Sequence, residues 1–311
     1  MKKSHLLLAL VIVVLLALLP QIGSNYMLRI GTTVLMYMAL ALAWNFIGGF
    51  AGYPSFGTAG FFGLGAYVSA LLQAQGMHGQ LSWIAAAVVG GVFALLLGFV
   101  LLRLRGHTFA IATLVVAEVL REVINAWTDL TGGGMGLNLA YSGLSPEESA
   151  RYYYLCMLVL AVLAFLATWI VAGNKLGFGL RCVKQNEDAA NMVGVNTTLY
   201  KTAAFALSGV FIAAAGGIYA SWTGYIEPAD VFDIMISIKA IVMALLGGVG
   251  TVLGPVIGSI AFLVLDEIVW RNLLELHTGT LGVLIVLLVL FLPTGLYSLR
   301  QRSRAAQKVK A

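Results

Sequence analysis

Charge is what this sequence has least of. Only 10% of its 311 residues are Asp, Glu, Lys or Arg, whereas 60% are hydrophobic and the mean hydropathy is +0.96. A soluble globular domain carries about 25% charged residues, so this much apolar surface exceeds what one water-soluble core can hide. Cysteine is nearly absent. Cys156 and Cys182 are too few for a disulfide framework or a cysteine-built zinc site, and they read as unpaired small side chains. The 4 histidines are scattered without metal-ligand spacing. No G-x-x-x-x-G-K-[ST], H-E-x-x-H or G-x-S-x-G occurs. Nothing here resembles an active site, and any ATP hydrolysis must belong to another chain. The net charge of +5 does not point to nucleic acid, because the basic residues are spread along the chain where membrane insertion requires them.

What is present is a succession of long apolar runs, such as LLLALVIVVLLALL. The runs are continuous, which excludes the alternation of barrel strands. The expected fold is an all-α polytopic membrane protein of about 8–10 transmembrane or re-entrant helices, since each span needs about 20 apolar residues. Candidate spans are 6–22, 28–47, 56–72, 83–102, 108–127, 153–172, 202–222, 234–246, 253–269 and 279–296. Those beginning at Phe56, Thr108 and Ile234 are short or glycine-rich and read equally as re-entrant. The first run has no small-residue cleavage site before Pro20 and Gln21, so it reads as an uncleaved span.

Lys and Arg set the orientation. With the N-terminus inside, inner segments hold Lys2, Lys3, Arg103, Arg105, Lys175, Arg181, Lys184, Lys201 and the cluster from Arg300 to Lys310. Outer loops hold only Arg29, Arg151 and Arg271, while Arg121 and Lys239 fall within spans. Both termini are therefore expected in the cytoplasm. The chain reads as one transmembrane domain over 1–311, interrupted by a cytoplasmic segment at 175–201.

The 36 glycines cluster. Gly57, Gly60 and Gly63 recur every three residues. Gly247, Gly248 and Gly250 open the GGVGTVLGPVIGS run, in which Gly250, Gly254 and Gly258 recur every four. Pro54 and Pro255 interrupt the two clusters. Two readings fit: close helix packing alone, or broken helices lining a path. A third run, TGGGMG at 131–136, is too glycine-rich for a helix interior and has no phosphate-loop Lys. Within 108–127, Glu118 and Glu122 share a face, and Arg121 reaches Glu118 at i, i+3. They form either a polar wall of a path or an internal ion pair. Asn45, near the inner end of its span, is either a lining residue or an interhelical hydrogen bond.

The most distinctive stretch is KLGFGLRCVKQNEDAANMVGVNTTLYK, a polar island between apolar spans. Leu180 to Met192 can form one short helix with Val183, Ala190 and Val193 as its apolar stripe. Such a helix lying along a membrane surface can insert into a groove on a soluble partner. The other reading is a solvated loop.

Three stretches, at 109–137, 177–220 and 224–259, make the sequence resemble the permease subunits of bacterial branched-chain amino acid ABC importers, of the LivM type. The resemblance covers nearly the whole chain. It implies a second related permease subunit, two ATPase subunits that hold ATP and Mg, and an extracytoplasmic solute-binding protein, all assembled at the lipid bilayer of the bacterial inner membrane. This chain would hold no cofactor. Residues 181–194 would be the coupling helix that seats in an ATPase cleft: Arg181, Lys184, Gln185, Asn186, Glu187, Asp188, Ala189 and Ala190 carry the match, and Gly194 closes it. The cargo would be Leu, Ile or Val. Urea, short amides or other amino acids are alternatives on the same architecture, and an ion-coupled carrier working alone is a remote one.

Overall fold

The computed structural model describes residues 24–139 and 143–272, together with residues 16, 19–21 and 282. Apart from those few positions, the spans expected at 6–22 and 279–296 and the basic C-terminal cluster lie outside the described residues.

Helices dominate, in chain order α1 Asn25–Trp44, α2 Thr58–Ala74, α3 Gly79–Leu101, α4 His107–Ala126, α5 Pro146–Gly173, α6 Lys175–Gln185, α7 Glu187–Met192, α8 Thr197–Thr223, α9 Ile234–Gly247 and α10 Gly254–Asn272. A π-helical segment, Asn45–Phe50, continues α1. The starts are legible. Ser24 caps α1, Ser145 and Glu148 form a capping box around Pro146 at the head of α5, and Asn196 caps α8. Gly224, at φ +72, closes α8 in a left-handed conformation that glycine adopts without cost.

The core is built around α1. Every residue from 35 to 51 is buried, and α5, α8, α9 and α10 surround it. The other tight seam joins α8 to α2 and α3 through small residues. A Cβ on Gly65 would lie 2.1 Å from the Ala213 carbonyl oxygen, and one on Gly216 would lie 2.0 Å from that of Phe62. Backbones this close gain dispersion contacts that lipid cannot replace.

Among the described residues, four helical segments are long and apolar enough to cross a bilayer: Asn25–Phe50, Gly79–Leu101, Pro146–Gly173 and Thr197–Thr223. The 20-residue α4 is about 30 Å long, full hydrocarbon thickness. The 14-residue α9, at about 21 Å, falls short of it.

The described loops collect at two ends. One end holds 45–57, 102–106, 174–196 and 248–253. At the other, β1 Leu137–Asn138 pairs antiparallel with β2 Tyr225–Ile226. The TGGGMG run lies beside this ladder as a one-turn 3-10 helix, with Gly132, Gly133 and Gly136 at positive φ. A Cβ on Gly136 would sit 2.2 Å from the Ile226 carbonyl oxygen, so glycine lets the two backbones meet there. The first end carries Arg103, Arg105, Lys175, Arg181, Lys184 and Lys201. The second carries Asp129, Glu147, Glu148, Glu227, Asp230 and Asp233.

Candidate functional site

The polar island is two helices, not one. α5 ends at a sharp corner where the Asn174 side chain accepts from the Gly177 N–H at 3.3 Å. Gly177 is required there, because a Cβ would lie 2.0 Å from the Val171 carbonyl oxygen. Helix α6 then runs to Gln185. Asn186 adopts an extended conformation and caps α7 by accepting from the Ala189 N–H at 3.0 Å. The helix expected over 180–192 therefore breaks at Asn186, where an Asx cap satisfies a new helix start better than continued helix would. Gly194, at φ +88, ends the unit.

The charged residues of the island point in different directions. Arg181 donates to the Ala172 carbonyl at 2.8 Å and ties α6 to the end of α5. Lys184 donates to the Gly49 carbonyl of the π segment at 2.9 Å. Loss of water around that ammonium pushes its pKa down. Glu187 turns inward. It pairs with Lys201 of α8 at 2.5 Å and accepts from the Tyr53 hydroxyl. Lys201 is 2% exposed and also donates to the Leu102 carbonyl at 2.9 Å and to the Tyr53 hydroxyl at 3.1 Å.

Burial alone would raise the Glu187 carboxyl. Hydrogen bonds from Lys201 and Tyr53, and the charges of Lys201 and Arg105, outweigh burial and hold it below its ordinary value. Burial also raises the Tyr53 hydroxyl, as do its hydrogen bond to Glu187 and that neighbouring charge, so it stays protonated as a donor. Asp188 points outward and makes a two-pronged contact with Arg105 at 2.8 and 3.1 Å. That contact lowers Asp188 and raises Arg105.

Three chain segments thus converge on α6 and α7: 49–53 after α1, 102–105 between α3 and α4, and the head of α8. A fourth joins them indirectly. Asn45 donates to the Thr251 carbonyl at 2.9 Å and accepts from the Gly250 N–H at 2.8 Å. The two glycine clusters therefore meet at this end, and Gly49 abuts Gly250. Asn45 is fully buried and acts as an interhelical bridge.

Most of the polar set expected to form the docking surface is open: Arg181, Lys184, Gln185, Asn186, Asp188, Ala189 and Gly194 are exposed, whereas Glu187 is half-buried and Ala190 is buried at 3%. Met192 and Val193 are 87% and 77% exposed, so Val193 leaves the apolar stripe expected for it and forms an outward apolar tip. Sequence reasoning passed over Met192 as an exposed tip and Lys201 and Tyr53 as anchors. Two exposed apolar residues before a helix-ending glycine were the signal for Met192. Nothing local marks Tyr53.

The other expected positions separate into packing and open surface. Gly57, Gly60 and Gly63 are buried in helix seams. Positions for Cβ atoms on Gly57 and Gly60 lie 3.5 and 3.0 Å from Thr113 and Ala117 of α4, and on Gly63 2.6 Å from the Phe232 ring. Gly247 packs on α10, where a Cβ would meet the Gly254 carbonyl oxygen at 1.7 Å. Gly248 and Gly250 hold the connecting turn at φ +124 and +78.

Glu118 does face open space. It lies with Glu122 on an open face of α4, beside Leu114, Val115, Val119, Val123 and Ala126. Arg121 stands 3.5 Å from Glu118. No group of three or more metal-binding side chains occurs among the described residues. Cys156 and Cys182 are free.

The family described as branched-chain amino acid transport system, permease component, matches residues 26–292. The chain is 29% identical to the high-affinity branched-chain amino acid transport permease LivM of Salmonella typhimurium, over 89% of this chain and 71% of the relative. The LivM protein of Escherichia coli matches at the same identity and coverage. LivH of Salmonella typhimurium is 23% identical over 84% of this chain and 90% of its own length. No solved structure matches the chain.

Proposed function

Since the chain belongs to the branched-chain amino acid transport permease family, we propose that it forms half of the path by which a bacterial ABC importer moves leucine, isoleucine or valine across the inner membrane. The basic end faces the cytoplasm, which follows from the excess of Lys and Arg there. Both termini lie on that side. A second related permease supplies the other half of the path, and a solute-binding protein docks on the acidic outer end. Two ATPase subunits hold ATP and Mg and seat against α6–α7. This chain itself catalyses nothing.

One observation carries the mechanical part of this reading. Glu187, Lys201, Tyr53 and the Leu102 carbonyl form one buried polar cluster. A docking segment on a loose loop would absorb a push. Here α7 is bonded to the head of α8, to Tyr53 in the segment after α1 and to the α3–α4 turn, while Lys184 holds the broken segment beside Gly250. Closure of the ATPases against Met192 and Val193 would therefore displace several spans together.

The open face of α4 supports a place for the path. Carboxylates within a span are costly against lipid and face water or protein. The Glu118–Glu122 face is accordingly assigned to the water-filled side shared with the second permease. Cargo selection rests mainly with the binding protein, because this face offers few fixed polar groups.

The test is uptake of labelled leucine into vesicles bearing the full assembly. Uptake should require ATP inside the vesicle and every partner. Uptake by this chain alone, without ATP, would refute the proposal, and uptake of urea but not leucine would refute its cargo.

A further inference from the structure

Most of the surface of α6 is spoken for. Gly177, Gly179, Leu180 and Val183 are buried against the bundle. A Cβ on Gly179 would lie 2.4 Å from the Tyr200 ring. Lys184 reaches the Gly49 carbonyl. The remaining face carries Lys175, Phe178 and Arg181, spaced i, i+3, i+6 and so adjacent on one side of the helix. All three are exposed, Phe178 at 66%. An aromatic ring is held open to the surroundings between two cations.

The depth of this face follows from α5. Between Arg151 and Lys175 the chain carries no charge. At 1.5 Å per residue that stretch is about 35 Å long. It crosses a hydrocarbon layer of about 30 Å and leaves its first charged residue at the edge. Trp169, of the residue type that gathers at this boundary, lies in the second-last turn of α5. Leu163, Leu166 and Ile170 are exposed and form the lipid-facing side of the same span. Arg181 lies about 9 Å along α6 from Lys175, yet it still reaches the Ala172 carbonyl at the end of α5, at 2.8 Å. Helix α6 therefore runs along the level where α5 leaves the hydrocarbon, and does not continue away from it. Its charge is of one sign. No Asp or Glu occurs between Glu148 and Glu187, and Glu187 and Asp188 are paired with Lys201 and Arg105.

We propose that this face of α6 rests on the membrane itself. Phe178 dips into the boundary between headgroups and acyl chains, and Lys175 and Arg181 hold the phosphates of anionic phospholipids. Interfacial helices bind in this way, through buried apolar area and attraction to anionic lipid. The long stems of Lys175 and Arg181 lie along acyl chains while their charged heads stay among the phosphates. Two observations select lipid as the occupant: the face is continuous with the lipid-facing side of α5, and it carries only positive charge. Helix α7, with Met192 and Val193, is left to the ATPases. The inference rests on α5 crossing a bilayer and not on the cargo or on ATPase docking.

The test places photoreactive p-benzoylphenylalanine in place of Phe178 in the complete assembly. The nanodiscs hold equal phosphatidylglycerol and phosphatidylcholine, and adducts are read by mass spectrometry after illumination. The adducts should be phospholipid. Phosphatidylglycerol should exceed phosphatidylcholine at least about fivefold, the effect of one basic residue near an anionic surface. Lys175→Gln should lower that ratio about fivefold. An adduct to an ATPase subunit or to the second permease, the absence of a lipid adduct, or a ratio that Lys175→Gln leaves unchanged overturns the proposal. The same photoreactive residue in place of Val193 separates this contact from docking. Lipid adducts at the first position with no ATPase adduct at the second would refute docking and uphold the membrane contact.

Discussion

Glu187 and Lys201 stand 14 residues apart in sequence and 2.5 Å apart in the fold, with side-chain exposures of 12% and 3%. Removing one partner of a buried pair leaves a stranded charge and costs about 3–5 kcal/mol. Lys201→Met should therefore detach α7 from α8 and lower the melting temperature of the assembly. Glu187→Lys combined with Lys201→Glu should recover part of the loss. A double exchange no better than either single change would mean that the two do not act as a pair.

The same carboxylate sets a pH limit. Its folded pKa is depressed, so its stabilisation is fully present above the ordinary carboxylate value of 4.5 and is lost as pH falls through the lower folded value. Reactivity of Cys182, on α6, toward a thiol label should be flat, once corrected for thiolate content, from neutral pH down to about pH 5. It should rise only at stronger acidity. In Glu187→Gln the acid-induced rise should vanish, and a rise persisting in that variant would place the titration elsewhere.

Asn45 joins the two broken segments through one donor and one acceptor. Asn45→Leu keeps the volume roughly constant and leaves the Gly250 N–H and Thr251 carbonyl unpaired, at about 1–3 kcal/mol for each buried group. The expected result is a lower melting temperature and reduced uptake with normal membrane insertion. Unchanged thermal stability would show that the bridge is not needed.

Gly65 and Gly173 offer a paired control for the packing account. A Cβ on Gly65 would approach the Ala213 backbone to 2.1 Å, whereas one on Gly173 meets nothing within 4 Å. Gly65→Ala should force α2 and α8 apart and cost at least about 1–3 kcal/mol, as overpacking does. Gly173→Ala should be nearly neutral. Equal melting temperatures for the two would contradict the seam.

The apolar tip should matter for partners and not for folding. Val193 is exposed, so Val193→Asp should leave the melting temperature of the isolated chain unchanged. Copurification of the ATPase subunits should fall at least about tenfold, equivalent to about 1.4 kcal/mol. Full recovery of the ATPases with this variant would move the docking surface away from α7.

The apolar runs and the excess of basic residues in alternate loops made the membrane class and the two ends of the bundle legible. Local rules also hold at Ser145, where a capping box opens α5, and at Gly224, where glycine closes α8, although neither was read from the sequence. They failed where partners are remote in sequence. The QNEDAA core reads as one exposed charged face, yet Glu187 turns in toward Lys201 and Tyr53 while Asp188 turns out. Only the folded positions of α1 and α8 decide that division. The glycine periodicity likewise marked close approach correctly but could not say what approaches. Gly57 and Gly60 meet α4, and Gly63 meets Phe232. Val193 looked like the end of an apolar stripe because the break at Asn186 depends on a side-chain cap whose advantage over continued helix the local sequence does not show.

The most direct measurement is the number of labelled leucine molecules taken up per ATP hydrolysed by liposomes carrying the complete assembly with Glu187→Gln. With the foot docked but no longer anchored, hydrolysis should continue while uptake per ATP falls at least about tenfold, or about 1.4 kcal/mol of lost coupling. An unchanged ratio in a stably assembled variant would contradict the claim that the buried Glu187–Lys201 cluster carries the movement into the membrane.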